Sequence, residues 1–158
     1  MSSDGYNEGT DPISVRRYKE MVSPNFYHTG TTGPSAEGFG RGLQQAVKLA
    51  KSNGTNQVLL TVHTLSNLEG IIRTVLGERV FSLFLDKRLL NVDGAMVHLE
   101  TDRIRSSFQH GVFFAPFVSP KRLAKLQKDH RATDIVYVPW APDELNSHRA
   151  THGESVEI

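Results

Sequence analysis

The chain has 158 residues, 38% of them apolar and 22% charged, which suits one folded domain and excludes a disordered or collagen-like chain. Its 18 Lys and Arg nearly balance 17 Asp and Glu, so the net charge near +1 gives no general pull toward nucleic acid or an anionic membrane. The absence of cysteine excludes disulfides, thiolate metal sites and thiol catalysis.

The first residues, Met1-Ser2-Ser3-Asp4-Gly5, are polar and lack the apolar core of a secretory signal. No later apolar run approaches the roughly 20 residues of a membrane span, so a soluble cytoplasmic protein is expected. Gly5, Gly9, Pro12, Pro24, Gly30, Gly33 and Pro34 punctuate residues 1–34, with Ile13–Val22 able to form a short helix or strand. This stretch reads as a loop-rich N-terminal arm, and 35–158 as a single α/β domain.

Phe39, Leu43, Ala46, Val47 and Ala50 recur at helical spacing after a candidate N-cap at Ser35, and Gly54 stands where that helix would stop. Gln57–His63 is apolar on both sides, as the central strand of a covered parallel sheet is. A helix is expected directly afterwards, because Ser66 and Glu69 have capping-box spacing. Leu68, Ile71, Ile72, Val75 and Leu76 form its stripe and Gly77 ends it. Residues 79–90 suit a helix or a strand equally. Asp93-Gly94 favours a hairpin turn, and Ala95–Thr101 alternates as a half-buried or edge strand.

Gly111–Val118 is a second wholly apolar run, whose Pro116 argues against a fully paired central place. Ser119-Pro120 is an N-cap followed by Pro at the first helical position, in a helix running to about His130. One side of it carries Leu123, Ala124 and Leu126, and the other Lys121, Arg122, Lys125 and Lys128, a basic pattern typical of a solvated face. Asp134–Val138 is a third strand. Pro142 opens a last helix, with Asp143 and Glu144 at its positive end and His148, Arg149 and His152 at its negative end. Ser155–Ile158 is a candidate final strand.

This rhythm predicts a three-layer, Rossmann-like α/β sandwich of four to five mostly parallel strands with helices on both faces. In such sheets ligands sit beyond the carboxyl ends of the strands, where strand order reverses. The candidate site is therefore His63, Thr64, Asn67, Thr101, Arg103, Ser119, Lys121 and Trp140. Helix N-termini at Ser66 and Ser119 would add backbone N–H groups suited to an anion. Each feature also has a structural explanation: Ser66 and Ser119 as caps, Trp140 as an anchor packed between Pro139 and Pro142, and Thr101-Asp102-Arg103 as a turn.

Motifs narrow the chemistry mainly by exclusion. The glycine clusters Gly30–Gly33 and Gly38–Gly42 lack the G-x-x-x-x-G-K-[ST] pattern, and neither directly follows a clear strand. No G-x-S-x-G elbow is present. Only His148 and His152 have metal-ligand spacing on one helical face, without a H-E-x-x-H motif, so no metal site is expected and the residues name no cofactor. The preferred expectation is a ligand-binding or regulatory domain holding an anionic, phosphate- or nucleotide-like small molecule. One alternative is a small hydrolase or transferase with His63 as general base and Arg103 or Lys121 stabilising developing negative charge. The other is an interaction module forming a homodimer through its arm or the strand Ala95–Thr101.

Overall fold

The computed structural model describes residues 23–66 and 68–158. Their elements are β1 (Asn25–His28), α1 (Ala36–Ser52), β2 (Gln57–Thr61), α2 (Glu69–Leu76), α3 (Glu78–Lys87), β3 (Leu89–Val92) and β4 (Ala95–Glu100). There follow β5 (Gly111–Pro116), α4 (Pro120–Gln127), β6 (Ala132–Val138), α5 (Pro142–Thr151) and β7 (Val156–Glu157). All seven strands join one sheet in the order β3-β4-β2-β5-β6-β1-β7. Every pairing is parallel except the β3–β4 hairpin.

The central strands are apolar without alternation because each supplies two cores. Val58 and Leu60, Val112 and Phe114, and Val136 and Val138 face α1, where they meet Phe39, Leu43, Ala46, Val47 and Ala50. Ile72, Phe81 and Phe84 of α2 and α3 extend the same core. The intervening residues Leu59, Phe113, Ile135 and Tyr137 face Leu123 and Leu126 of α4. Each fully buried Leu, Ile or Phe is worth roughly 1.5–3 kcal/mol, so neither face tolerates polar positions. The three-layer sandwich is thus as expected, with seven strands in place of four to five.

Glycine within α1 is a packing requirement. A Cβ on Gly42 would lie 2.6 Å from the Phe114 ring and 3.0 Å from Val138, so only glycine lets α1 sit this close to β5 and β6. That closeness offsets the ~1 kcal/mol helix penalty of glycine.

Several local expectations change. β1 lies inside the stretch read as a loop-rich arm: its short Asn25–His28 run pairs with β6 on one side and β7 on the other, and buries Phe26. The Gly30–Gly33 cluster therefore does follow a strand, leading to α1, whose Ser35 cap accepts from Gly38 N at 2.8 Å. Residues 79–90 divide into α3 and the start of β3. Asp93 and Gly94 both take positive φ (51° and 92°), as a two-residue type I′ turn requires. β4 is consequently covered by β3 and is not the edge, so β3 would be the strand open to another chain. Pro116 belongs to a central strand after all. It is the last residue of β5, past the Leu60–Phe114 end of pairing with β2, where a missing N–H breaks no ladder bond on that side.

Candidate functional site at the carboxyl ends of β2 and β5

Strand order locates the crevice. From β2 the chain leaves through α2 toward β4, while from the adjacent β5 it leaves through α4 on the opposite face toward β6. Neighbouring strands whose connections diverge leave a gap beyond their carboxyl ends. His63 lies two residues past β2 and Ser119 three residues past β5, one on each bank of this gap.

Ser119 is held as the cap of α4, its Oγ accepting from Arg122 N at 3.1 Å. His63 Nε2 lies 3.3 Å from the same Oγ. On the other side of the ring, His63 Nδ1 is 3.6 Å from Asp102 Oδ2. Asp102 comes from beyond β4, the other neighbour of β2, and its backbone N–H donates to the His63 carbonyl at 3.1 Å. Arg122 donates from Nη1 to Asp102 Oδ1 at 2.6 Å and from Nη2 to the buried Thr61 Oγ1 at 2.9 Å. That guanidinium contact, followed by the His63 ring, holds the Asp102 carboxyl below its ordinary range, so it stays a carboxylate.

Two hollows flank His63 and Thr64. One, of about 270 Å³, is lined by His63, Thr64, Leu68, Phe117, Ser119, Trp140 and Glu144. Its aromatic wall is Trp140, 42% exposed and edge-on to Phe117 with centroids 5.3 Å apart. Glu144 Oε1 is tied down by the Trp140 and Ala141 backbone N–H groups at 3.0 and 3.3 Å. The other hollow, of about 400 Å³, is lined by His63, Thr64, Ser66, Thr101 and Arg103. Six of the eight residues expected at the site, namely His63, Thr64, Thr101, Arg103, Ser119 and Trp140, therefore meet. Lys121 lines neither hollow and points to solvent, and Asn67 lies outside the described residues. A larger hollow of about 670 Å³, between α1, α2 and the β3–β4 turn, contains none of them.

Some details depart from the sequence reading. Ser66 does not cap a helix: α2 begins at Glu69, and Ser66 Oγ bonds Thr64 Oγ1 at 3.1 Å instead. The helix-terminal anion site expected at Ser66 is therefore absent. The basic face of α4 is also smaller than its pattern suggests. Arg122 turns inward to Asp102 and Thr61, and Arg131, beyond the helix, to Glu100 and Asp129. Asp102, Arg122, Phe117 and Glu144 were not among the expected site residues. Asp102 sits three residues past His98 on a strand whose adjacency to β2 no local pattern reveals.

A second polar cluster lies under α5. His148, on its inner face, is only 4% exposed, and burial followed by the neighbouring His28 and His152 pushes it down to about 4. Among the described residues no group of three or more His, Cys, Asp or Glu is placed to hold a metal ion. No described helix is long and apolar enough to cross a membrane. Compared with protein-family models, with curated proteins and with solved structures, the chain matches none.

Proposed function

We propose that this protein is a small-molecule hydrolase or transferase in which Ser119 is the nucleophile and His63 the general base. The observation that carries the reading is the placement of one imidazole between a hydroxyl 3.3 Å from Nε2 and a carboxylate 3.6 Å from Nδ1. Asp102 favours the tautomer with its proton on Nδ1, which leaves the Nε2 lone pair facing Ser119. Nε2 takes the hydroxyl proton as Oγ bonds to the substrate's carbonyl carbon. The same proton then passes to the leaving group as its bond breaks. Water, or an acceptor alcohol in a transfer reaction, gives its proton to Nε2 and releases the acyl group from Oγ.

The surrounding residues support these steps. The Arg122 backbone N–H on Oγ stabilises negative charge there as the proton leaves. Pro120 has no N–H, so the carbonyl oxygen's developing charge falls to the next unpaired N–H of the α4 first turn, that of Lys121. The Trp140–Phe117 wall suits an apolar or aromatic substrate group, and Arg103 in the adjoining hollow suits an anionic one. Hydrolysis of p-nitrophenyl acetate by the full chain tests the reading. The expected result is turnover that falls by about 10³-fold or more in both Ser119→Ala and His63→Gln. Equal turnover by wild type and both variants would overturn it.

Arg103 favours a second reading, a non-catalytic domain that holds an anionic small molecule with Arg103, Thr101 and Thr64. That reading expects inorganic phosphate to shift the amide resonances of these residues, with the shifts lost in Arg103→Ala, and no ester turnover at all.

A further inference from the structure

A cavity of about 180 Å³ lies between α4 and α5, away from the His63 ring, and its chemistry is unlike that of the cores. One wall is apolar, formed by Leu123 and Ala124 of α4, and Tyr137 of β6 lies beneath. The other wall is the inner face of α5, where His148, Thr151 and His152 stand in positions that a helix packed on a sheet normally fills with aliphatic residues.

The hydrogen bonds of His148 determine what its ring presents. Ser155 Oγ lies 3.0 Å from His148 Nε2 and 2.7 Å from His28 Nδ1, and one hydroxyl proton serves only one of these nitrogens. His28 Nε2 faces the Glu157 carboxylate at 3.2 Å, which accepts and does not donate, so the His28 proton belongs on Nε2. Its Nδ1 is then an acceptor and takes the Ser155 proton. His148 Nε2 must in turn donate to Ser155 Oγ, which leaves Nδ1 of His148 as a lone pair. That atom is buried and no protein group lies within hydrogen-bond reach of it. A buried acceptor left unpaired costs about 1–3 kcal/mol, and natural structures rarely retain one without use.

We propose that the α4–α5 cavity binds an uncharged, single-ring molecule carrying one hydrogen-bond donor, with phenol as the simplest member, the donor going to His148 Nδ1 and the ring lying against Leu123, Ala124 and Tyr137. The size agrees, since an apolar cavity of about 150 Å³ is enough for one benzene ring. The polarity agrees as well. Nδ1 accepts only, so the ligand must donate, and a cavity with one apolar wall and a neutral imidazole gives an anionic ligand no cation. This site does not depend on the chemistry at His63.

Titration of the full chain with phenol and, separately, with toluene, followed by the ring-nitrogen resonances of His148, tests the proposal. Phenol is expected to bind about tenfold more tightly than toluene, the ratio one good hydrogen bond supplies, and to shift the Nδ1 resonance. Ala124→Phe, at an exposed position that fills the cavity without entering either core, is expected to abolish phenol binding while leaving the thermal midpoint in place. Equal affinities for the two rings, an unmoved Nδ1 resonance, or phenol binding retained in Ala124→Phe would each overturn the proposal.

Discussion

The protein builds two histidine–serine pairs from nearly the same parts and places them in opposite surroundings. His63 meets Ser119 and Asp102 at the mouth of a cleft, where the His63 and Asp102 side chains are 45% and 52% exposed. His148 meets Ser155 and, through it, His28 under α5, with both rings at most 4% exposed. The difference teaches what decides the use of an imidazole. In the cleft, a carboxylate steadies the ring and solvent reaches it, so a proton can arrive and leave. Under α5, burial dominates and keeps both rings neutral, and the serine that bridges them ties the C-terminal strand β7 to β1. One pair is arranged for proton transfer, the other for order.

The largest effect expected from this contrast is kinetic. Asp102→Asn is expected to lower ester turnover by about 10³–10⁴-fold through the wrong His63 tautomer, with stability in urea within about 0.5 kcal/mol of wild type. The buried pair is expected to dominate the acid response of the fold. His148 is held near 4 in the folded chain against about 6.5 unfolded, so the unfolded chain binds its proton first as pH falls. Stability from this group is complete above pH 6.5 and is lost progressively down to about pH 4, by about 3 kcal/mol in all. Urea unfolding at pH 7 and pH 4.5 measures that loss, and His148→Phe is expected to flatten it.

The two serines sharpen the comparison at smaller scale. Ser155→Ala strips a partner from two buried rings and is expected to cost about 2 kcal/mol of unfolding free energy. Ser119→Ala removes a helix cap at a half-exposed site and is expected to cost about 1 kcal/mol. Lys121→Ala, on the solvent side of α4, is expected to change neither stability nor turnover, the former by less than about 0.5 kcal/mol.

How much of this was legible in the sequence follows from where the information resides. β2, β5 and β6 announce themselves because a strand facing two cores must be apolar at every position. β1 does not: four residues, Asn25–His28, sit between Pro24 and Gly30, and only pairing on both edges makes them a strand. β3 was hidden because Leu89 and Leu90 continue the apolar spacing of α3 until the αL conformation at Arg88 breaks the helix. At the site, His63 and Ser119 were found from the general rule that strand ends carry function. Asp102 was not, because its role depends on β4 and β5 lying on opposite sides of β2, and strand order is a property of the assembled sheet. The i, i+4 pair His148 and His152 looked like charges placed for the helix dipole. In the fold His148 is interior and neutral, so the dipole explains nothing about it.

The most direct test of the account is exposure of the full chain to a fluorophosphonate, which bonds covalently to an activated serine, followed by peptide mapping of the adduct. The account predicts a single adduct on Ser119, formed at least tenfold more slowly in His63→Gln and absent in Ser119→Ala. No adduct on Ser119, or labelling of Ser119 at an unchanged rate in His63→Gln, would contradict it.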